Sequence, residues 1–288
     1  MKLTCVTAVF NAVKSGNGEN LVRCIESVAA LATEHEHLVY DGASTDGTVE
    51  ILEELEKKIP TLKVLSEKDT GVYNALNKGV RDAKGDWFYV LGCDDCLCEP
   101  GVLDRLMLET ADDVDVIVAP VERDRKNVFF KHLEDLSIIF WTVPYSHQGM
   151  VMKTEKVREF GGFDEKQYRI CADWDMMNKA HENALHFLYT YEPFAFYRAG
   201  GLSESDKSCW GEVTAVIKRH LGMNDRQTKA FRSIGFPPLH IMLPYLFHKD
   251  LAYRMGARAM AKKWFAYYFK KLVHLPVRIL RKIIRAFC

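Results

Sequence analysis

The sequence predicts an α/β protein with a mostly parallel central sheet, and three observations in the first third of the chain support this. Short apolar segments typical of strands alternate with longer segments whose apolar residues recur at helical spacing. Turns rich in Gly, Ser, Thr and Asp separate these segments. The segment WFYVLG (residues 87–92) is apolar throughout, as strands buried on both faces are. Alternating strands and helices favour a doubly wound sheet.

The elements follow in order along the chain. LTCVTAV predicts the first strand, and the next segment carries Leu21, Ile25, Val28 and Leu31 at helical spacing. A second strand ends at Asp41 and leads into a helix over residues 48–59. Strands are then predicted at 62–67 and 87–92, around a helix that Gly85 closes. Past residue 115 we expect two more strands and a helix, in DVIVAP, SHQGMVMKTE and CADWDMMNKAHENA.

Charge and composition exclude several classes of protein. Lys and Arg total 39 and Asp and Glu total 39, so the chain as a whole lacks the excess of positive charge that is typical of nucleic-acid-binding proteins. No run of about 18 uncharged apolar residues predicts a membrane-spanning helix. The first residues resemble a strand rather than a signal peptide. We therefore expect a cytoplasmic protein whose eight cysteines are reduced thiols.

Acidic segments follow three of the predicted strands. Asp41 ends the second, SEKDTG with Asp69 follows the third, and Asp94 with Asp95 follows the fourth. Ligands of doubly wound sheets bind beyond the carboxyl ends of the strands, so these side chains are expected at one edge. The loop FNAVKSGNGENL lacks the glycine patterns of dinucleotide-binding and P-loop proteins. This disfavours a Rossmann dehydrogenase and excludes a Walker-type NTPase.

Six segments resemble, in order, the signature blocks of family 2 glycosyltransferases with the GT-A fold, particularly bacterial enzymes that build exopolysaccharides and surface glycans. The resemblance covers roughly residues 3 to 205 and rests on VTAVFNA, VYDGASTDGT, EKDTGVYNALNKG, LGCDD, GGFDE and CADWD. It implies transfer of a sugar from a nucleotide-sugar donor, taken here as a UDP-sugar, to a glycan or polyprenyl-linked acceptor.

The resemblance also implies roles for residues on the donor side. Asp41 would hydrogen-bond the uracil ring, and Phe10 and Asn11 would line the nucleotide. The block beside the donor sugar contributes Asp69, Tyr73 and Asn74.

A metal site is implied at the fourth strand end. Asp94 and Asp95 would reach the ribose and bind Mg²⁺ or Mn²⁺ between the two phosphates, and hard carboxylate oxygens suit such a cation. Gly92 departs from the family's DxD pattern, and which carboxylate binds the metal directly stays open. Zinc is disfavoured because the nearby cysteines, Cys93, Cys96 and Cys98, lack a fourth ligand at a recognised spacing. Cys93 is expected to point into the sheet.

Asp173 in CADWD occupies the position of the family's catalytic base, with Ala172 where Glu is common and Asp175 as the alternative. A sugar hydroxyl needs a base as its bond to the anomeric carbon forms. Attack from one face with departure from the other predicts inversion. The competing interpretation of Asp173 is a helix N-cap. Candidate substrate contacts are His147, Trp174 and Ser203.

The C-terminal segment is basic and predicts amphipathic helices. From Arg254 to Cys288 there are ten Lys or Arg residues and no Asp or Glu. We expect a catalytic domain at 1–235, with a nucleotide-binding half at 1–100 and an acceptor half at 101–235, and a tail at 236–288 after the FPPLH hinge. Residues 251–288 are predicted to lie on the anionic inner face of a membrane. Packing on the core or a contact in a homo-oligomer remains the alternative.

Two rival functions remain open at this point. A sugar nucleotidyltransferase shares the α/β sheet, but its usual basic, glycine-rich loop is missing after the first strand. The second alternative is a nucleotide-binding module that has lost catalysis, which the departures from the family pattern at Gly92 and Ala172 support.

Overall fold

The computed structural model describes residues 2–123, 143–200, 209–234, 239–242 and 244–273. These residues belong to two compact units, one holding the described residues up to 216 and the other those from 217 onward. The units divide before the boundary expected at 235/236, so the division into a catalytic domain and a tail stays a prediction. Within the described residues, no helix has both the length and the hydropathy needed to cross a membrane.

The first unit alternates strands and helices. Its strands are β1 (Leu3–Val9), β2 (His35–Asp41), β3 (Leu62–Ser66), β4 (Trp87–Val90), β5 (Cys96–Leu97), β6 (Val116–Val118), β7 (Val121–Arg123), β8 (Met150–Lys153), β9 (Phe187–Tyr189) and β10 (Ala195–Tyr197). Its helices are α1 (Gly18–Ala29), α2 (Thr48–Glu56), α3 (Val72–Asp82), α4 (Pro100–Glu109), α5 (Thr154–Glu159) and α6 (Ala172–Glu182). A 3₁₀ turn, His147–Gly149, precedes β8, and helix α7 (Cys209–His220) runs into the second unit.

Among the described residues, seven strands form the central sheet, in the order β3-β2-β1-β4-β8-β6-β9. The first four are parallel, whereas β8 is antiparallel to both of its neighbours and β9 is parallel to β6. A second sheet has the order β5-β10-β7. The mostly parallel α/β sheet predicted from the sequence is confirmed.

Strand β1 lies between β2 and β4 in this sheet and is covered on both faces. Leu3, Cys5 and Val9 join the apolar clusters that α1 covers. On the alternate face, a Cβ added to Gly79 of α3 would lie 2.5 Å from a methyl carbon of Val6. The glycine therefore lets the helix backbone approach the strand closely.

Strand register places the candidate residues at one edge. Val9 pairs with Asp41, and Asp41 pairs with Ser66, so β1, β2 and β3 end at the same level. The loop that follows Val90 of β4 leaves the sheet at the same edge, since Val90 pairs with Val6 in parallel register. The predicted convergence of the strand ends is thus present in the structure.

The second unit is helical in its described part. It contains α8 (Asp225–Ile234), α9 (Leu239–Met242), a 3₁₀ turn (Pro244–Phe247) and α10 (Leu251–Val273). One side of α10 is buried, at Tyr253, Ala257 and Met260. Residues 274–288 of the predicted amphipathic tail lie outside the described residues.

Candidate active site

Asp41 is a buried carboxylate held by two serines at the end of β2. Its Oδ2 accepts hydrogen bonds from the Ser44 amide (2.9 Å) and the Ser66 hydroxyl (2.7 Å), and its Oδ1 accepts one from the Ser44 hydroxyl. The residue is 1% exposed. Each carboxylate oxygen can accept two hydrogen bonds, so Oδ1 keeps a lone pair for one further donor.

The loops after β1 and β2 are strained and tied together. Asn11 and Ala43 have φ of 48° and 62°, a region that residues other than glycine rarely occupy. The Asn11 amide donates to the Ser44 hydroxyl (2.7 Å), and Asn11 Oδ1 accepts from the Thr45 amide (3.1 Å). These contacts fix the backbone beside Asp41, where Asn11 was expected to line a nucleotide.

An aromatic ring and a carboxylate flank the same loop. Phe10 is 63% exposed. A Cβ added to Gly42 would lie 3.2 Å from the Phe10 ring and 3.0 Å from Asp69 Oδ2. Asp69 Oδ1 also accepts a hydrogen bond from the Gly71 amide at 2.9 Å. Phe10 and Asp69 thus meet at Gly42, directly after Asp41, and the ring offers a free apolar face.

Asp94 and Asp95 lie close together after β4. Asp95 is 1% exposed, and burial followed by the Asp94 charge raises the pKa of Asp95 to about 6. A Cβ at Gly92 would lie 2.5 Å from Asp95 Oδ2 and 3.2 Å from Asp94 Oδ1. Gly92, where the resembling family often has Asp, is therefore the residue that leaves room for the two carboxylates.

This pair fits a divalent cation of the magnesium class. Such cations take one or two protein carboxylates together with substrate phosphates and water. The raised pKa of Asp95 reports crowded negative charge, which a cation would offset. In the part of the chain that the structure describes, no group of three or more His, Cys, Asp or Glu side chains is arranged to hold a metal.

Gln148 orients Asp95, a contact that the sequence analysis did not identify. Its Nε2 donates to Asp95 Oδ2 at 2.8 Å, while the Arg198 amide donates to Asp95 Oδ1 at 2.8 Å. The Ser146 hydroxyl donates to Gln148 Oε1, which turns the amide nitrogen toward Asp95. The signal in the sequence is the SHQG block, in which His147 was the candidate residue.

Asp173 is the second residue of α6 and both of its oxygens are engaged. Oδ1 accepts from the Tyr73 hydroxyl (3.0 Å) and the Trp174 amide (2.9 Å), and Oδ2 pairs with His147 Nδ1 at 3.0 Å. The contact with the Trp174 amide satisfies one free N–H of the helix terminus, as a capping carboxylate does. The Asp173 side chain is 20% exposed.

The pKa of His147 is raised and the pKa of Asp173 is lowered. Burial disfavours the charged imidazole, but the hydrogen bond and charge of Asp173, with the charges of Asp95 and Asp94, outweigh it and raise the pKa of His147. Burial also opposes ionisation of Asp173, yet His147, the Tyr73 hydroxyl and the Trp174 amide together lower the pKa of Asp173. The charges of Asp94 and Asp95 thus act on His147, which pairs with Asp173.

Several predicted site residues have other surroundings. Trp174, a candidate substrate contact, is 1% exposed, so its ring packs in the core and offers no surface to a substrate. Tyr73 is buried as well, and its hydroxyl contacts Ile170 O (2.6 Å) besides Asp173. Asn74 donates to Glu165 at 3.2 Å. Ser203 lies outside the described residues.

Asp175, the alternative base, is enclosed. It is 0% exposed and forms an ion pair with Lys179 at 3.0 Å. A buried, paired carboxylate does not meet a bound hydroxyl, and the geometry favours Asp173.

Glu212 of α7 holds the backbone that leads into α6 and was also missed. Its two oxygens accept hydrogen bonds from the amides of Arg169 (2.9 Å), Ile170 (2.8 Å) and Cys171 (2.9 Å). The contacts join residues 41 to 43 positions apart, and no local sequence pattern predicts them.

The cysteines near the carboxylate pair behave as packed thiols. Burial raises the pKa of Cys93 and of Cys98 to about 12. Cys93 packs against the apolar cluster that contains Val9 and Leu21, the inward orientation expected for it.

Comparisons with known proteins agree with this architecture. The sequence model of a family described as "Glycosyl transferase family 2" matches residues 4–164, more than half of the chain. A PGL/p-HBAD biosynthesis glycosyltransferase of Mycobacterium bovis is 29% identical over 191 residues, which cover 64% of this chain and 74% of that protein.

Two solved structures share the fold. S. aureus TarS 1-349 in complex with UDP-GlcNAc superposes with a TM-score of 0.64 at 17% identity, and the match covers 94% of this chain and 92% of the TarS chain. The mannosyltransferase PcManGT from Pyrobaculum calidifontis, in complex with GDP-Man and Mn²⁺, gives a TM-score of 0.60 at 18% identity, covering 99% of this chain and 79% of its own. In the crystal structure of a longer TarS chain, the match covers 40% of the TarS chain. At these identities the likeness shows the fold alone, which is the GT-A type of α/β sheet expected from the sequence.

Proposed function

The chain belongs to glycosyl transferase family 2. From this premise we propose that it transfers one sugar from a nucleoside-diphosphate sugar to an acceptor hydroxyl, with inversion at the anomeric carbon. The acceptor is a glycan or a polyprenyl-diphosphate-linked sugar. One observation carries the proposal. Adjacent residues of a single turn, His147 and Gln148, bond the two carboxylates that the reaction needs, Asp173 and Asp95. The leaving-group side and the acceptor side are thereby held together.

The donor is proposed to be a UDP-sugar. Asp41 keeps one acceptor lone pair at Oδ1, which suits the N3–H of uracil, and the exposed Phe10 ring offers an apolar face to the base. Asn11 and Asp69 would contribute by holding the loops beside the nucleotide in place, through their hydrogen bonds with Ser44 and Gly71. TarS, which shares the fold, was solved with UDP-GlcNAc.

Asp94 and Asp95 are proposed to hold Mn²⁺ or Mg²⁺ against the donor diphosphate. Bound there, the cation would stabilise the negative charge that develops on the leaving nucleoside diphosphate. Support comes from the crowded carboxylates and from the Mn²⁺ complex of PcManGT, which shares the fold. Gln148 and the Arg198 amide keep Asp95 in one orientation.

Asp173 is proposed as the carboxylate of the catalytic base. It is ionised because its pKa is lowered, it is partly exposed, and it is bonded to a histidine that can share a proton. A base on one side of the anomeric carbon and a cation-bound diphosphate on the other would give a single inverting displacement.

The tail is proposed to contact an anionic membrane surface, where lipid-linked acceptors reside. In its described part, α10 exposes Arg258, Lys262 and Lys263 together with Phe265, which is 59% exposed. Arg254 instead donates to the carbonyls of His248 and Lys249. Exposed cations beside an apolar ring suit an interfacial helix.

The function is tested by nucleoside-diphosphate release from a panel of UDP-, GDP- and dTDP-sugars, with Mn²⁺ or EDTA and with polyprenyl-diphosphate sugars as acceptors. Metal-dependent turnover of one donor is expected. Absence of turnover together with absence of donor binding in calorimetry would overturn the proposal and favour the degenerate binding module.

A further inference from the structure

The two oxygens of Asp173 are already committed to neighbours. Oδ1 accepts from the Tyr73 hydroxyl and the Trp174 amide, and Oδ2 faces His147 Nδ1. Each oxygen accepts about two hydrogen bonds. Oδ1 has the Trp174 amide at 2.9 Å and the Tyr73 hydroxyl at 3.0 Å, although that hydroxyl shares its one proton with the Ile170 carbonyl, and His147 covers one side of Oδ2. A substrate hydroxyl would compete with these neighbours for the carboxylate.

The same contact fixes the tautomer of His147. An ionised carboxylate only accepts hydrogen bonds, so Nδ1 must carry the proton that it donates to Asp173. In the neutral ring the lone pair is therefore on Nε2. No described residue forms a hydrogen bond with Nε2, and the His147 side chain is 30% exposed against 20% for Asp173. The accessible basic atom of the pair is Nε2.

We propose that His147 Nε2 takes the proton of the acceptor hydroxyl and that Asp173 orients His147 and stabilises its charged form. The assignment rests on the proposed function and deepens it. As the acceptor oxygen bonds the anomeric carbon, its proton passes to Nε2. The bond from that carbon to the phosphate oxygen breaks, and its electron pair leaves with the nucleoside diphosphate. His147 then returns the proton to water.

The surroundings of His147 suit this role. Asp173 bonds its ring, and the negative charges of Asp94 and Asp95 act on it from the loop after β4. The Asp173 carboxylate, in direct contact, favours the imidazolium that forms in the step, whereas a cation bound at Asp94 and Asp95 would offset the charge of that pair. Gln148, the next residue, fixes Asp95, so the turn would set the base and the leaving-group carboxylate in one relative position.

The test compares His147→Asn with His147→Ala and Asp173→Asn, using the donor that wild type turns over. An Asn amide can replace the Nδ1–H donor to Asp173 but supplies no basic nitrogen. We expect His147→Asn to lose at least about 100-fold in kcat, as His147→Ala does, because a positioned base contributes roughly 10²–10⁴-fold. The donor KM and the thermal midpoint should stay close to wild type.

A His147→Asn enzyme with kcat within about threefold of wild type would overturn the assignment, because hydrogen bonding to Asp173 would then be all that His147 provides. Asp173 would in that case be the proton acceptor itself. Should kcat fall together with the thermal midpoint and donor binding, the loss would be structural, and the assignment would likewise fail. Wild-type inactivity across the donor panel is a separate result that overturns the proposed function.

Discussion

His147 Nδ1 lies 3.0 Å from Asp173 Oδ2, and the two residues come from elements that are 26 positions apart in the sequence. The pairing joins the turn before β8 to the first turn of α6. It raises the pKa of the histidine and lowers that of the aspartate, so each group favours the charged form of the other. The pH dependence of the reaction follows from this relationship.

Activity should fall on the acid side as His147 becomes protonated. The pKa of His147 is raised above its ordinary value of 6.5 against the cost of burial, by Asp173, Asp95 and Asp94. The basic form is present above the raised pKa and is lost as the pH falls through it. We predict that kcat/KM at saturating Mn²⁺ declines with a midpoint in the histidine range, because Asp173 still contacts the ring when the cation offsets Asp94 and Asp95. A midpoint near the usual carboxylate range, about 4, would point to Asp173 as the titrating base.

Gln148 should control the metal requirement. Replacing Gln148 by Met removes the donor to Asp95 Oδ2 while keeping a side chain of similar length. Because partners of metal ligands typically contribute 10–100-fold in metal affinity, we expect the Mn²⁺ concentration for half-maximal activity to rise roughly tenfold or more.

The thermal midpoint without metal serves as the control for this variant. An unchanged Mn²⁺ requirement in Gln148→Met would contradict the role given to Gln148.

Gly92→Ala should disturb the carboxylate pair directly. The new Cβ would lie 2.5 Å from Asp95 Oδ2, and a contact that short forces a shift. We expect a stability loss of about 1–3 kcal/mol, as overpacking costs, together with weaker activation by Mn²⁺. Denaturant unfolding and metal titration measure the two effects.

Gly101→Ala is the matched control, because nothing lies within 4 Å of a Cβ at that helical position. This variant should be neutral or slightly more stable, since Ala is the better helix former. Equal behaviour of the two alanine variants would refute the steric explanation of Gly92.

Glu212 should stabilise the entry to α6. Glu212→Ala leaves three amides, of Arg169, Ile170 and Cys171, without their acceptor. Losing such bonds to a charged group is expected to cost about 2–4 kcal/mol and to lower kcat through a displaced Asp173.

Glu54→Ala provides the comparison. Its pair with Lys57 is exposed on both sides, and such pairs contribute about 0–1 kcal/mol. If Glu212→Ala unfolds at the same denaturant concentration as Glu54→Ala, the bracing role of Glu212 is wrong.

Much of the fold could be predicted from periodicity. β1 and β2 have the predicted ends because an apolar run stops at a turn, as at Val9 and Asp41. The strand ends then had to converge, since parallel strands share their carboxyl edge. Shorter strands such as β5 and β7 carry too few residues to give a periodic signal.

The interior of the site was less predictable. Gln148 reaches Asp95 across 53 residues, and Glu212 reaches Cys171 across 41, so tertiary packing alone creates these contacts. Trp174 was a candidate substrate contact, but it lies one position after Asp173, and one position along a helix turns the side chain by about 100°. The ring consequently faces the core.

The most direct test of the account is the anomeric configuration of the transferred sugar, determined by NMR of the product formed from the donor that the enzyme selects. A base at His147 and Asp173 facing a diphosphate held at Asp94 and Asp95 predicts a single displacement, so the configuration should be inverted relative to the donor. A product that retains the donor's configuration would contradict the account, because it would require a second displacement that this arrangement does not provide.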